Sequence, residues 1–393
     1  MPAETAQKFA SLEAQAQTLM AVFTKAGHEA VAPAVIQPAD VFLDVIGESL
    51  RARTYVFTDP DGAELCLRPD LTVPTCRLHI ARHADAATPA KYCYNGPAFR
   101  FQPQGADAAH PREFRQAGIE RFGDTALEAA EAETVALILS ALKAAGLQDW
   151  TLRIGDLGLF ASVLDVANLP ARWRKRLMEA FARPGAFKDE VAALQAGRRA
   201  GGSAVPAALL NALRASGTPA EAESIVAAHL DVAGIELIGR RTLAEIAEHL
   251  VAQAQDAGAK PLDAAAAKLM TDYVAVSGPA RTAGERVAAL VRCANGSADT
   301  ALNVYDRRLA LLANAGIDLD RVSFSAEFGR NLGYYTGFVF EFTAPGLGAQ
   351  SPVAGGGRYD DLMRAAGSAA KVPAVGGAIH TERLLVAVKG TGA

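Results

Sequence analysis

Between Lys188 and Val304 the chain carries a single aromatic side chain, Tyr273, although 7% of its 393 residues are aromatic. Strands favour β-branched and aromatic residues, so a stretch this poor in rings is a weak candidate for a sheet. It reads instead as Ala-rich amphipathic segments: VPAALLNALRASG, PAEAESIVAAHLDVAG, TLAEIAEHLVAQAQDAG and PARTAGERVAALVRCANG. Pro near the start and Gly past the end suit the fixed φ of a first helical turn and the left-handed cap of a last one. Residues 170–300 are therefore predicted to form an all-helical insertion. Strand-like sequence lies on both sides, so one sheet has to be assembled from both ends of the chain.

The length allows two or three domains and a core that needs no staples. With 39 basic against 43 acidic residues, the formal charge of −4 argues against a protein held on nucleic acid by bulk electrostatics. Cys66, Cys76, Cys93 and Cys293 show neither C-x-x-C spacing nor a partnered His cluster, so no metal site, no disulfide framework and a reducing compartment are expected. The N-terminus lacks a basic flank leading into an apolar run, and no window approaches the ~18 apolar residues of a membrane span. A cytoplasmic location is expected.

A first helix to about Gly27 has Leu12, Leu19, Val22 and Phe23 at helical spacing. TYVFT and ELCLR flank Asp59-Pro60-Asp61-Gly62 and read as a hairpin, followed by a helix over 70–83. KYCYNGPAFRF and PREFRQAGIERFG are two strands joined by QPQGADAAHP. A helix over 126–147 leads to a strand at 151–154 that ends in a Gly155-Asp156 turn. Beyond the insertion, RVSFSAEF and GYYTGFVFEFTAPG are predicted to form a hairpin about Asn331-Leu332-Gly333. PAVGGAIHTERLLVAV supplies a last strand and helix.

Three constellations carry polar chemistry. Period 2 in PREFRQAGIERFG puts Phe114, Gln116, Gly118, Glu120 and Phe122 on one face, with Gln116 and Glu120 about 13 Å apart and Gly118 as an open floor between them. Either this is a solvated strand surface, or a small molecule with two hydrogen-bonding ends lies across it. Asp70 and Thr72 stand where a strand runs into a helix; they either cap that helix, or Asp70 accepts from a ligand ammonium. Arg330, Tyr334 and Tyr335 surround a tight turn, where a Tyr pair serves packing or ligand contact. GGGRYD lacks the spacing of a phosphate loop.

Together these segments resemble a family. GPAFRFQ…FRQAGIERFG resembles motif 2, and AVGGAIHTERLL motif 3, of the class II aminoacyl-tRNA synthetases; LRPDLT, RNLGYYTG and AGGGRYDDL resemble segments particular to histidyl-tRNA synthetase. The resemblance implies an α+β fold: an antiparallel sheet flanked by helices, with core residues 1–169 and 301–393 around the insertion. It also implies a self-dimer through motif 1, here around Pro33–Gly47. It implies a pocket for L-histidine in which Asp70, Thr72 and Gln116 meet the α-amino group, Glu120 and Tyr335 the imidazole, Tyr334 the wall, and Arg100 and Arg330 the carboxylate or an ATP α-phosphate.

Departures cluster where ATP and tRNA would bind. His380 and Thr381 replace a small glycine and its neighbour in motif 3, while Arg383 is kept. Phe101-Gln102 stands where the family follows its motif 2 Arg with an aromatic or His and an acid. Gly333 replaces an acid, and QPQGADAAHP offers no cation before Arg112. Ten residues follow Arg383, where an anticodon-binding domain takes roughly a hundred. This combination is similar to the regulatory subunits of ATP phosphoribosyltransferase. That resemblance implies a non-catalytic chain without cofactor or tRNA, in a hetero-octamer with the short-form catalytic subunit of histidine biosynthesis, under histidine feedback. The alternatives are a histidine–tRNA ligase core lacking its anticodon domain, and a free-standing histidine or uncharged-tRNA sensor.

Overall fold

The computed structural model describes residues 5–43, 52–102, 111–181, 185–197, 205–235, 242–257, 260–328, 333–348 and 351–390. Helix α1 (Ala6–Lys25) starts where the Thr5 hydroxyl accepts from the Lys8 amide, and it buries Leu12, Leu19 and Phe23. Then come β1 (Glu29–Ala30), β2 (Ile36–Pro38), α2 (Ala39–Leu43), β3 (Val56–Thr58), β4 (Glu64–Leu67) and α3 (Thr72–Arg82). The predicted DPDG hairpin joins β3 to β4, with the Asp59 carboxylate accepting from the Asp61 and Ala63 amides. With β2 they form a three-stranded sheet.

The main sheet uses β5 (Ala90–Phe99), β6 (Glu113–Phe122) and, after α4 (Leu127–Ala144), β7 (Thr151–Asp156), which leads into α5 (Leu157–Val166). Gly155 and Asp156 thus finish the strand and form no turn. Helices α6 (Ala171–Phe181), α7 (Ala186–Gln195), α8 (Ala207–Ala215), α9 (Pro219–Ala233), α10 (Leu243–Ala257) and α11 (Ala264–Val274) follow. The chain returns through β8 (Ser277–Pro279), α12 (Ala280–Cys293), α13 (Asp299–Asn314), β9 (Val322–Ser325), β10 (Phe338–Thr343), β11 (Ala354–Arg358), α14 (Leu362–Ala365), β12 (Ala374–His380) and α15 (Thr381–Gly390).

Strand order is β1-β5-β6-β12-β11-β10-β7-β9-β8. From β5 through β7 every pairing is antiparallel; β1 joins β5, and β9 joins β7, in parallel. β12 pairs with β6 on one side and β11 on the other, so the two ends of the chain meet in one sheet as expected. The hairpin predicted about 331–333 is not formed. β7 lies between β9 and β10, so these are separate neighbours of an older strand, and residues 329–332 fall outside the described ones. Alternation had identified both strands but carries no information on pairing.

GGGRYD is strand rather than phosphate loop, and its glycines are explained by crowding. A Cβ at Gly356 would stand 2.1 Å from the Gly376 carbonyl oxygen, and one at Gly357 2.5 Å from that of Phe338.

By compactness the chain divides into one unit of Met1–Val166 with Asp272–Ala393 and a second of Ala167–Thr271. In the second, α8, α9 and α10 enclose Leu209, Leu210, Leu213, Ala222 and Val226. The helical run read as 170–300 therefore ends earlier: α12 and α13 belong with the sheet. Low aromatic content reports helix, not unit, and α12 is Ala-rich because it packs through Ala280, Ala283 and Gly284. α13 is tied to the sheet by charge. Buried Arg308 meets Glu131 of α4 at 2.6 Å and Asp156 of β7 at 2.5 Å, while Glu131 also holds Arg358 of β11 at 2.5 Å. No helix among the described residues is long and apolar enough to cross a membrane.

Candidate functional site

The face of β6 that carries Gln116, Gly118 and Glu120 is covered rather than solvated: Gln116 is 4% exposed and Glu120 not at all. Gly118 leaves no open floor, which corrects the sequence reading. Tyr94 sits opposite it on β5, and a Cβ at Gly118 would stand 2.6 Å from the Tyr94 hydroxyl. The ring thus crosses the glycine, and its hydroxyl donates to Glu120 Oε1 at 2.9 Å. On the other side Glu120 lies against β12, where Gly376 has no Cβ to obstruct it, and Oε2 accepts from the Tyr359 hydroxyl.

Burial pushes the Glu120 carboxyl up to about 7. Hydrogen bonds from Tyr359, Thr72 and Tyr94 favour the ionised form and pull it back down, while the negative field of Asp70 adds to the rise. Thr72 is thereby brought into the site, which helix capping alone does not explain. Between pH 4.5 and about 7 the folded protein holds a proton that the unfolded chain has released, so stability falls as pH rises through that window. Glu120→Gln is expected to flatten that part of a Tm-versus-pH curve. An unchanged slope would show that the carboxyl ionises without cost.

Asp70 enters from the start of α3. Its Oδ1 accepts from the Val73 amide at 3.2 Å, a capping contact, but Oδ2 is buried without a hydrogen-bond donor. Burial raises the Asp70 carboxyl, opposed first by the charge of Arg100. Gln116 Oε1 is likewise buried and unpartnered. Arg100 donates from Nε to the Pro69 carbonyl at 2.9 Å and has Asp70, Tyr334 and Tyr335 in its field. Tyr334 and Tyr335 lie with ring centroids 4.8 Å apart, and Tyr334 meets Tyr359 edge-on at 6.0 Å. Asp70, Thr72, Glu120, Arg100, Tyr334 and Tyr335 therefore form one acid-lined, tyrosine-walled cluster, and Gln116 lies further along the same face of β6. Arg330 lies outside the described residues.

Tyr94 and Tyr359 were not anticipated as site residues. A strand glycine opposite an aromatic was the available signal for Tyr94; Tyr359 lay in AGGGRYDDL, a segment matched to the family without a role being given to its tyrosine.

Beside the cluster, Phe114 has the Arg100 guanidinium 5.0 Å from its centroid and the His380 imidazole at 5.1 Å. Gln102 accepts from Arg53 at 2.6 Å and donates to the Pro111 carbonyl at 3.1 Å. Glu382 accepts from the Arg115 amide at 2.9 Å, and Arg383 donates to the Pro352 carbonyl at 3.0 Å. Among the described residues no group of three or more His, Cys, Asp or Glu side chains is arranged to hold a metal ion.

The histidyl-tRNA synthetase family matches residues 4–257 and 239–384. Proteins named ATP phosphoribosyltransferase regulatory subunit in Brucella anthropi and Agrobacterium fabrum are each 36% identical to the chain, over 355 and 365 residues. The matches cover 90% and 91% of this chain and 92% of each relative. The chain belongs to the ATP phosphoribosyltransferase regulatory subunit family. A solved ATP phosphoribosyltransferase regulatory subunit/histidyl-tRNA synthetase from Bacillus halodurans superposes with a TM-score of 0.68 at 21% identity, covering 99% of this chain and 81% of that one. The fold is thus the α+β, class II synthetase-like one that regulatory subunits of this family share with histidyl-tRNA synthetases.

Proposed function

We propose that this chain is a non-catalytic regulatory subunit, which activates the short-form catalytic subunit of ATP phosphoribosyltransferase and takes part in its histidine feedback. The observation that carries the pocket assignment is the pair of buried acceptors without donors, Asp70 Oδ2 and Gln116 Oε1. Leaving such groups unpaired costs about 1–3 kcal/mol each, and a ligand ammonium supplies donors to both. Glu120 then accepts from an imidazole N–H or stabilises its charged form, with Tyr334 and Tyr335 as walls and Arg100 toward the carboxylate. Arg330 shares that carboxylate role by resemblance alone.

The non-catalytic reading is supported by His380, which packs on Phe114 beside Arg100 where a nucleotide would otherwise stack. Gln102 is committed to Arg53 and Pro111 instead of presenting an acid. Self-association through the motif 1 region is supported by the small sheet, which leaves Ile36, Val56 and Phe57 exposed. A reducing, cytoplasmic setting and independence from tRNA belong to the same reading.

The test pairs two measurements. The purified chain alone should show neither phosphoribosyl transfer nor histidine-dependent pyrophosphate–ATP exchange, and mixing it with the short catalytic subunit should raise phosphoribosyl transfer. Calorimetric titration of L-histidine into the chain and into the assembled complex then locates the sensor. A coupling of about 1–3 kcal/mol corresponds to a 5- to 150-fold difference in affinity between the two. Robust exchange by the chain alone would overturn the proposal.

A further inference from the structure

On β6, the residues that alternate with the site above face the opposite side of the sheet, where a cavity of about 330 Å³ is lined in part by His28, Lys91, Ile119, Arg121, Thr134 and Leu137. Its walls are mostly apolar, from Ile119 of β6 and the α4 residues Ala136 and Leu137. Its polar groups are unequally committed. Arg121 is saturated by Asp124 at 2.5 Å and Glu133 at 2.6 Å, and Thr134 donates to the Ala130 carbonyl. His28 is only 6% exposed, and its ring lies toward the Phe23 and Ala26 carbonyls without a hydrogen bond of good geometry. Lys91 stands opposite Arg121 across the β5–β6 ladder, so the two cations share one face.

A buried imidazole whose backbone contacts are this poorly aligned is uncommon in a finished core, because each under-satisfied polar group carries a desolvation cost. Burial and the fields of Arg121 and Lys91 hold the imidazole neutral, down to about 4, so it presents one N–H and one acceptor nitrogen. Glu133 and Asp124 are already engaged by Arg121, which leaves the Lys91 charge to attract an anion. The cavity volume lies at the small end of ligand pockets.

We propose that this cavity, on the reverse side of the sheet from the histidine-type pocket, binds a small carboxylate with an apolar body: Lys91 and the His28 N–H hold the carboxylate, while Ile119 and Leu137 contact the body. The proposal is independent of the histidine reading, because the two sites use opposite faces of β6.

The test uses the full chain with benzoate as probe and benzamide as its neutral match. Titration followed by the His28 imidazole signals in NMR should saturate with benzoate. Lys91→Met, an exposed change at the mouth, should weaken binding at least 10-fold without altering the thermal transition. Glu120→Gln should leave benzoate binding unchanged. Absence of saturable shifts at His28, equal binding of benzamide, or loss of benzoate binding in Glu120→Gln would each overturn the assignment. His28→Gln should likewise weaken benzoate binding at least 10-fold; should it fail to fold, Lys91→Met and the benzamide comparison decide the matter without it.

Discussion

Glu131→Ala is expected to lower the unfolding free energy by about 3–5 kcal/mol, read from urea or thermal denaturation. Glu131 is buried and is the shared acceptor of two guanidiniums: Oε2 takes Arg308 at 2.6 Å and Oε1 takes Arg358 at 2.5 Å. After truncation Arg308 keeps Asp156, and Arg358 keeps Asp360 at 3.0 Å, but each loses half of its compensation in a place water does not reach. The cost comes from the stranded cations more than from the missing attraction. Glu131→Gln retains shape and one acceptor oxygen, so it should cost less than the alanine change. A loss below 1 kcal/mol for Glu131→Ala would mean that solvent enters and replaces the carboxylate. The damage should also reach the site, because Arg358 precedes Tyr359, whose hydroxyl holds Glu120. Histidine affinity in Glu131→Ala should therefore fall even though no ligand contact is removed.

The second large effect concerns Asp70. Asp70→Asn is expected to weaken L-histidine binding by about 30- to 5,000-fold, the 2–5 kcal/mol typical of removing one member of a buried, hydrogen-bonded charge pair. Asparagine preserves size and the capping contact to the Val73 amide, so the change isolates charge. The free protein should respond in the opposite direction. Because burial raises the Asp70 carboxyl, the ionised form burdens the fold, and Asp70→Asn should leave the thermal transition unchanged or raise it. Affinity that drops while stability holds identifies a ligand contact; unchanged affinity in calorimetry would remove Asp70 from the pocket.

The elements of the sheet were legible because their signals are local. The DPDG turn, the alternation in PREFRQAGIERFG and the Gly-rich strand before motif 3 each act within a few residues. Pairing was less legible: β9 and β10 each read as strands, but their shared neighbour β7 comes from far upstream. The boundary at 271 was missed because Ala-rich sequence marks tight helix packing equally in α10 and in α12, whichever core they serve. In the site, Gln116 and Glu120 read either as a solvated face or as ligand acceptors, and Asp70 either as a cap or as an acceptor, and all three are buried. What alternation could not supply was the cross-strand content. Gly118 looked like empty space, but in register with Tyr94 it is the slot for a ring. Likewise Gly376, within the motif 3 match, gives Glu120 room on the β6 side of β12.

The pairing of β12 between β6 and β11 has a consequence for how the protein is made. Phe122 and Ala374 are register partners separated by more than half the chain. At about 5–20 residues per second, a ribosome takes roughly 10–50 s to deliver β12 after β6 has emerged. During that interval β6 is an unpaired edge, a shape that invites pairing with another chain. Ala167–Thr271, which has its own apolar cluster in α8, α9 and α10, is synthesised in that same interval. Aggregation in this protein should therefore track the nascent chain rather than the finished one, and truncations before residue 374 should be recovered in the insoluble fraction.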